Sequence, residues 1–264
     1  MPIQIRRCPP LAVLAVSVAL LLALALPAPS PASAQPRDAQ ALMKLMDELW
    51  RGDSSHAIMR MIIKTRHYER QMLMESWSGG TEKALVRIQE PAKDRGITTL
   101  KVERNIYNYL PKINRVTKIP PSMMMTSWMG SHFTNDDLVS ESSYEEDYDS
   151  SISFEGTREG DEIYEITSIP KPDAAVVWGK IVTIIDKPRL LPVSAIFYDE
   201  DGELVRTVTY SEPKRFEQRL VPSRMLLRPQ DKPDEYTEVV YEKLSFDVKL
   251  PADIFSLQRL KSGR

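Results

Sequence analysis

From Gly52 onward the sequence changes its hydrophobic period and keeps the new one for most of its length. Ala57, Met59, Met61, Ile63 and Thr65 alternate with Ile58, Arg60, Ile62, Lys64 and Arg66, and a second alternating run follows from Tyr68 to Glu75. A period of two is the mark of a strand with two different faces. Further runs lie at 84–88, 97–102, 105–110, 116–119, 163–169, 176–185, 190–198, 204–210, 224–227 and 236–246, separated by turn residues such as Ser78-Gly79-Gly80, Glu90-Pro91 and Asp199-Glu-Asp-Gly202. About eleven strands with no helices between them form an antiparallel sheet, because parallel strands need a crossover of a dozen residues or more. A sheet of this size must bury one face and protect its edges.

Few helices are available for that task. Leu42, Leu45, Met46, Leu49 and Trp50 are spaced as one apolar helical stripe that ends at Gly52. After Pro120-Pro121 the period of two breaks, and residues 122–138 read as short helices or a loop. Pro251-Ala-Asp-Ile-Phe255 is a possible terminal turn. Together these segments could cover one concave face as a helical lid.

The first 34 residues are a separate matter. Arg6 and Arg7 precede an apolar stretch, Leu11 to Leu26, interrupted only by Ser17, and the prolines at 27, 29 and 31 lead to Ala32-Ser33-Ala34. A basic segment, an apolar segment and an Ala-x-Ala ending describe a secretory signal with cleavage after Ala34. The expectation is therefore a signal peptide over 1–34 and a single domain over 35–264, exported to the periplasm. The chain's one cysteine, Cys8, would leave with the signal, so the mature protein has no disulfide, no thiolate metal site and no cysteine nucleophile.

Charge excludes one function class. With 35 basic and 37 acidic residues the net charge is -2, against the clustered cationic excess that binding to nucleic acid requires. No Gly-x-x-x-x-Gly-Lys or Gly-x-Gly-x-x-Gly sequence points to a nucleotide. Gly-x-Ser-x-Gly is absent too, and in Gly130-Ser131-His132 the two adjacent side chains point apart, which argues against a catalytic dyad. Met123 to Met125, Met129 and His132 offer soft ligands of the sort Cu(I) accepts, but Trp128 and Phe133 among them favour apolar contact. The acidic run Glu141, Glu145, Glu146, Asp147 and Asp149 lacks calcium-loop spacing and reads as a solvated loop or edge. No cofactor and no metal is expected. Arg60, Lys64, Arg66 and Arg70 read as the solvent face of a sheet, with contact to a phospholipid head group or an acidic partner as the alternative.

Six large apolar residues fall within eleven positions: Met123, Met124, Met125, Trp128, Met129 and Phe133. Methionine is flexible and polarisable and suits surfaces that accept apolar groups of varied shape. The segment is either a piece of capping core or a lid that faces a ligand. On the same argument Met59, Met61, Met72 and Met74, with Tyr107 and Tyr109, are candidate cavity residues.

Three stretches carry a resemblance. Arg87-Ile-Gln-Glu-Pro-Ala-Lys-Asp-Arg-Gly-Ile-Thr-Thr-Leu100, Ile106-Tyr-Asn-Tyr-Leu-Pro-Lys-Ile-Asn-Arg-Val116 and, most specifically, Met129-Gly-Ser-x-Phe-Thr-x-x-Asp-Leu138 resemble the outer-membrane lipoprotein-sorting, or LolA-like, group. The resemblance extends over most of 36–260; His132 stands where an acidic residue is expected in relatives. It implies an open antiparallel half-barrel of the LolA/LolB kind, with about eleven strands over a helical lid and a hydrophobic cavity for lipid or lipoprotein acyl chains. It also implies a monomeric carrier without enzymatic activity, with an inner-membrane lipid or lipoprotein exporter as a possible partner. An envelope adaptor that docks on such a transporter is the alternative.

Overall fold

A computed structural model describes residues 38–80, 82–137, 147–172, 174 and 176–262. The expected signal peptide and the acidic residues 141–146 lie outside the described residues. Asp38 opens helix α1 (Ala39–Glu48) as its N-cap, its carboxylate accepting from the Gln40 N–H at 3.1 Å. A tight turn at Gly52 then feeds a meander of β1 (Ser54–Lys64), β2 (Glu69–Gly79), β3 (Lys83–Glu90), β4 (Thr98–Val102), β5 (Asn105–Leu110) and β6 (Arg115–Lys118). A second meander follows: β7 (Tyr148–Arg158), β8 (Asp161–Pro170), β9 (Lys180–Asp186), β10 (Leu191–Tyr198), β11 (Leu204–Phe216), β12 (Arg219–Pro229) and β13 (Tyr236–Phe246). Helix α2 (Leu257–Ser262) comes last.

These strands form one open sheet in the order β6-β5-β4-β3-β2-β1-β13-β12-β11-β10-β9-β8-β7. The expected architecture is thus present with 13 strands and not about eleven. One extra strand is β7, whose exposed Asp149, Ser151, Ser153, Glu155 and Thr157 dilute its apolar signal. The run at 176–185 is also corrected, since β9 begins only at Lys180.

Pairing of β1 with β13 joins the two meanders. Its register shifts between Ile58 and Met59, so that Val239, Tyr241, Leu244 and Phe246 all oppose the odd-numbered residues of β1 despite the break in their own alternation. Bulges of this kind bend a strand and increase its twist. A second shift between Leu73 and Met74 bends the β2–β3 pair. The odd residues of β1 therefore look onto a concave face, where Met59, Met61, Ile63, Met72, Met74 and Ile88 form the central core with Trp128.

Each half of the sheet is covered differently. Leu42, Met43 and Met46 of α1 pack on Tyr164, Ile166 and Ile185 of β8 and β9. Leu260 of α2 packs on the opposite, outer face with Leu85, Leu100 and Tyr109. Edge strand β6 has four residues, two of them basic, which suits a strand that must not pair further. Because Leu42 is fully buried, Leu42→Ala should cost about 2–5 kcal/mol by the usual range for core truncations. A urea-unfolding loss below about 1 kcal/mol would show that α1 does not hold down the β8–β9 face.

Candidate functional site

Between β6 and β7 the chain passes from one sheet edge to the other, and its described part, 119–137, forms a strap over the concave face. From 119 to 136 the strap is built of turns and one 3-10 turn, Pro121–Met123, and Asp137 alone of its described residues is α-helical. Asn135 organises it: its Nδ2 donates to the Met123 carbonyl, the Thr126 carbonyl and Thr126 Oγ1 at 3.0–3.2 Å. Met129 and Gly130 both take positive φ, and a Cβ at Gly130 would stand 3.1 Å from the Tyr68 hydroxyl. Glycine fits both the turn and the close approach.

Polar contacts pin the strap to both meanders. On one side the Trp128 Nε1–H donates to Thr99 Oγ1 (3.1 Å), Tyr68 donates to the Gly130 carbonyl (2.6 Å) and Arg70 to the Met129 carbonyl (3.0 Å). On the other, the His132 N–H donates to Thr237 Oγ1 at 2.9 Å, and its ring meets Thr237 through Nδ1 and Glu235 through Nε2. Asp137 receives both arms of Arg206 at 2.5 and 2.7 Å, plus the Thr134 N–H at 2.7 Å. Arg206 and Asp137 are about 6% and 7% exposed, and the guanidinium lies against both the Trp178 and Phe197 rings, 4.3 and 4.4 Å from their centroids. Three directed N–H groups on one carboxylate, and two aromatic faces on one cation, offset the desolvation of a buried ion pair.

Beneath the strap the concave face does not close on itself. A cavity of about 260 Å³ remains, bounded by β1–β4, β9–β13, the end of α1 and the strap. Its walls are mainly apolar: Met59, Met61, Met74, Trp128, Phe133, Trp178, Phe197 and Val208 are among them. That volume is just below the roughly 300–1,000 Å³ of small-molecule sites. Tyr148 also lines it, with its hydroxyl held protonated because burial, and then the nearby Asp136 and Asp147, raise its pKa. Ser131 donates to the Trp128 carbonyl while His132 turns to Thr237 and Glu235, so this Ser and His do not meet.

The twelve residues expected at the cavity from sequence divide by position. Met59, Met61, Met74, Trp128 and Phe133 line it. Met72 is on the same face but fully buried in the core, and Met129 packs against that core from the strap. Met124 is half-buried, whereas Met123 and Met125 are 46% and 50% exposed. Tyr107 and Tyr109 are a correction: they belong to the outer face, packed with Leu85, Leu100 and Leu260, because α2 covers that side of β4 and β5. Arg70 is a correction too, since it is half-buried between Asp94 and the strap and is not part of a solvent face. Sequence reasoning missed Arg206, Asp137, Trp178 and Phe197. Arg206 had a signal, since it shares a strand face with Val208 and Tyr210 and is a charge on the inward side.

Residues 80–262 match the model of a family described as uncharacterized proteins, and the chain belongs to that family. No curated protein matches the sequence. Three crystal structures are similar over 84% of the chain. A DUF1329 family protein from Desulfovibrio piger ATCC 29098 has 21% identity, a TM-score of 0.75 and 97% of its own length covered. An outer membrane lipoprotein-sorting protein domain from Vibrio parahaemolyticus has 24% identity and a TM-score of 0.72, with 98% covered. A LolA superfamily protein from Nitrosomonas europaea has 21% identity and a TM-score of 0.71, also with 98% covered. The fold of this chain is that of the LolA-like, outer membrane lipoprotein-sorting group.

Two outcomes are expected of the pins. Asp137→Ala leaves a buried guanidinium without its carboxylate and should cost about 3–5 kcal/mol in urea unfolding, with Asp137→Leu/Arg206→Met recovering most of it. The Glu235 carboxyl is held below its ordinary pKa, first by the Arg66 N–H and then by His132. A depressed carboxyl stabilises the fold above its unfolded pKa of about 4.3, and the contribution disappears as pH falls through the folded value. Thermal midpoints of the native protein and Glu235→Gln should accordingly differ at pH 7 and converge below about pH 4; a gap that persists at low pH would contradict the assignment.

Proposed function

We propose that this protein is a periplasmic carrier that shields an acyl chain of a lipid or lipoprotein in the cavity under the strap. In this reading residues 1–34 are the signal, residues 35–264 are the mature monomer, and an inner-membrane lipid or lipoprotein exporter is its partner. The observation that carries the reading is the unfilled apolar cavity on the concave face, walled by methionines and aromatic rings. Interiors are normally packed without voids of this size. Each methylene moved from water into such a site contributes about 0.8 kcal/mol, so affinity needs neither a covalent step nor a cofactor. The similarity to the Vibrio lipoprotein-sorting protein domain and to the Nitrosomonas LolA superfamily protein supports the same reading.

Release requires the strap to loosen. Its fastenings are hydrogen bonds and ion pairs along two lines, with thioether side chains between them, and such contacts can be remade without repacking a rigid core. The exposed Met123 and Met125 favour a second reading, an adaptor that docks on a transporter with an empty cavity.

Native mass spectrometry of residues 35–264, purified from the envelope without detergent, separates the two. A lipid or lipopeptide at fixed stoichiometry is the expected result. Ala57→Phe, which places a ring in the cavity, should reduce the bound fraction at least about tenfold with little change in melting temperature, since the added volume enters empty space. A clean apo mass that takes up no offered lipid would replace the carrier with the adaptor.

A further inference from the structure

Three turns meet at one end of the first meander. The β1–β2 turn, 65–68, is tied to the β3–β4 loop, 91–97, by the Arg70–Asp94 ion pair at 2.8 Å. That loop lies in turn against the β5–β6 turn, 111–114, where a Cβ on Gly96 would stand 3.5 Å from the Pro111 ring. Lys93, Arg95, Lys112 and Arg115 are all exposed here, and among the described residues none of them meets a carboxylate. Arg95 reaches the Gln89 carbonyl at 2.9 Å. Asp94 is taken up by Arg70, which leaves Glu90 as the exposed acid of residues 90–97 and 110–115.

The excess is local to this end. Arg66 and Glu69 offset each other in the first of the three turns. At the other end of the same strands Glu82 and Glu103 stand with Lys83 and Arg104, so charge is balanced there. The β12–β13 loop, which adjoins Lys64 through its pairing with Tyr236, is acidic, with Asp231, Asp234 and Glu235 against Lys232.

Apolar side chains stand among the cations. On the β5–β6 turn Leu110 is 39% exposed and Ile113 is 63% exposed. The turn is firmly held: Asn114 takes positive φ, its N–H donates to the Pro111 carbonyl at 3.2 Å, and its Oδ1 accepts from the Tyr109 hydroxyl at 3.3 Å. One exposed aliphatic residue needs no explanation. Two on one fixed turn, with Lys112 between them and Arg115 beside them, put apolar reach and positive charge into the same six residues.

We propose that this end is a docking surface for an anionic bilayer, with Leu110 and Ile113 entering the headgroup layer and Lys93, Arg95, Lys112 and Arg115 over the phosphates. A protein partner of standard size covers about 800 Å² with an apolar centre, which two aliphatic side chains on a turn do not supply. A bilayer asks for less, since it accommodates a small apolar tip and offers negative charge at every position. None of these six residues borders the cavity, so the proposal goes beyond the carrier reading and stands without it.

Residues 35–264 are sedimented with vesicles of phosphatidylcholine alone, or of phosphatidylcholine and phosphatidylglycerol in equal parts. The protein should bind the anionic vesicles at least about tenfold more tightly, and raising salt from about 0.05 to about 0.5 M should release it. A cation near such a surface strengthens binding about fivefold, so Lys112→Gln/Arg115→Gln should weaken it about 25-fold. Ile113→Ser should weaken it about tenfold at unchanged charge. Both variants should melt with the native protein, because the altered side chains are exposed. Ala57→Phe, which fills the cavity, should bind the vesicles as the native protein does, and this separates the present proposal from the carrier reading. Equal affinity for the two vesicles, undiminished binding by the double variant, or loss of binding in Ala57→Phe would overturn the proposal. Binding to neither vesicle would overturn it as well and leave the surface to an acidic protein.

Discussion

The pairing of β1 with β13 is the constraint on which the rest of the molecule depends. Ten residues of β1, Ser55 to Lys64, find partners in a strand about 180 positions later, and two hairpin meanders become one sheet through this ladder alone. Each meander is local and inexpensive in chain entropy; the β1–β13 ladder closes nearly the whole chain into a loop. Its bulge at Ile58/Met59 turns that junction into the bend of the concave face. The two free edges, β6 and β7, stand at opposite ends of the strand order, and the described part of the connection between them, 119–137, crosses the concave face.

That crossing determines the site. A strap spanning an open curved sheet can be held by packing, by hydrogen bonds or by both, and here the two are separated. Trp128 packs into the central core, while the carbonyls of Met129 and Gly130, the His132 ring and the Asp137 carboxylate are taken up by side chains of the sheet. Directed bonds fix the strap's height above the sheet, and side chains beneath it need not fill the space. The cavity is thus a consequence of topology.

Much of the fold was legible in the sequence and less of the site. Alternation revealed β1 because Ala57, Met59, Met61 and Ile63 give it a continuous apolar face, and β2 through Met72 and Met74, while the helical stripe of Leu42 and Met46 docks as its spacing requires. Strand β7 escaped notice because Ser150 and Gly156 stand among Tyr148, Ile152 and Phe154 on its inner positions, so this edge strand carries too few apolar side chains to alternate clearly. Parity shows that Tyr107 and Tyr109 share a face, but only the docking of α2 decides that it is the outer one. Composition marks the methionine cluster as adaptable without giving each side chain a direction, so Met123 and Met125 point to solvent while Trp128 and Phe133 reach the cavity. The Arg206–Asp137 pair joins residues 69 apart on different elements, and no local pattern announces such a meeting.

On the carrier reading proposed above, the concave cavity, and no other surface, receives an acyl chain. A crystal structure of residues 35–264 grown with a terminally brominated fatty acid tests it most directly, because bromine can be located by its anomalous scattering without reference to the fold. One strong peak is expected inside the cavity, in the apolar region between Met61, Phe197 and Val208. A bound chain whose bromine lies on the outer face near Tyr107 and α2, or over the exposed Met123 and Met125, would contradict it.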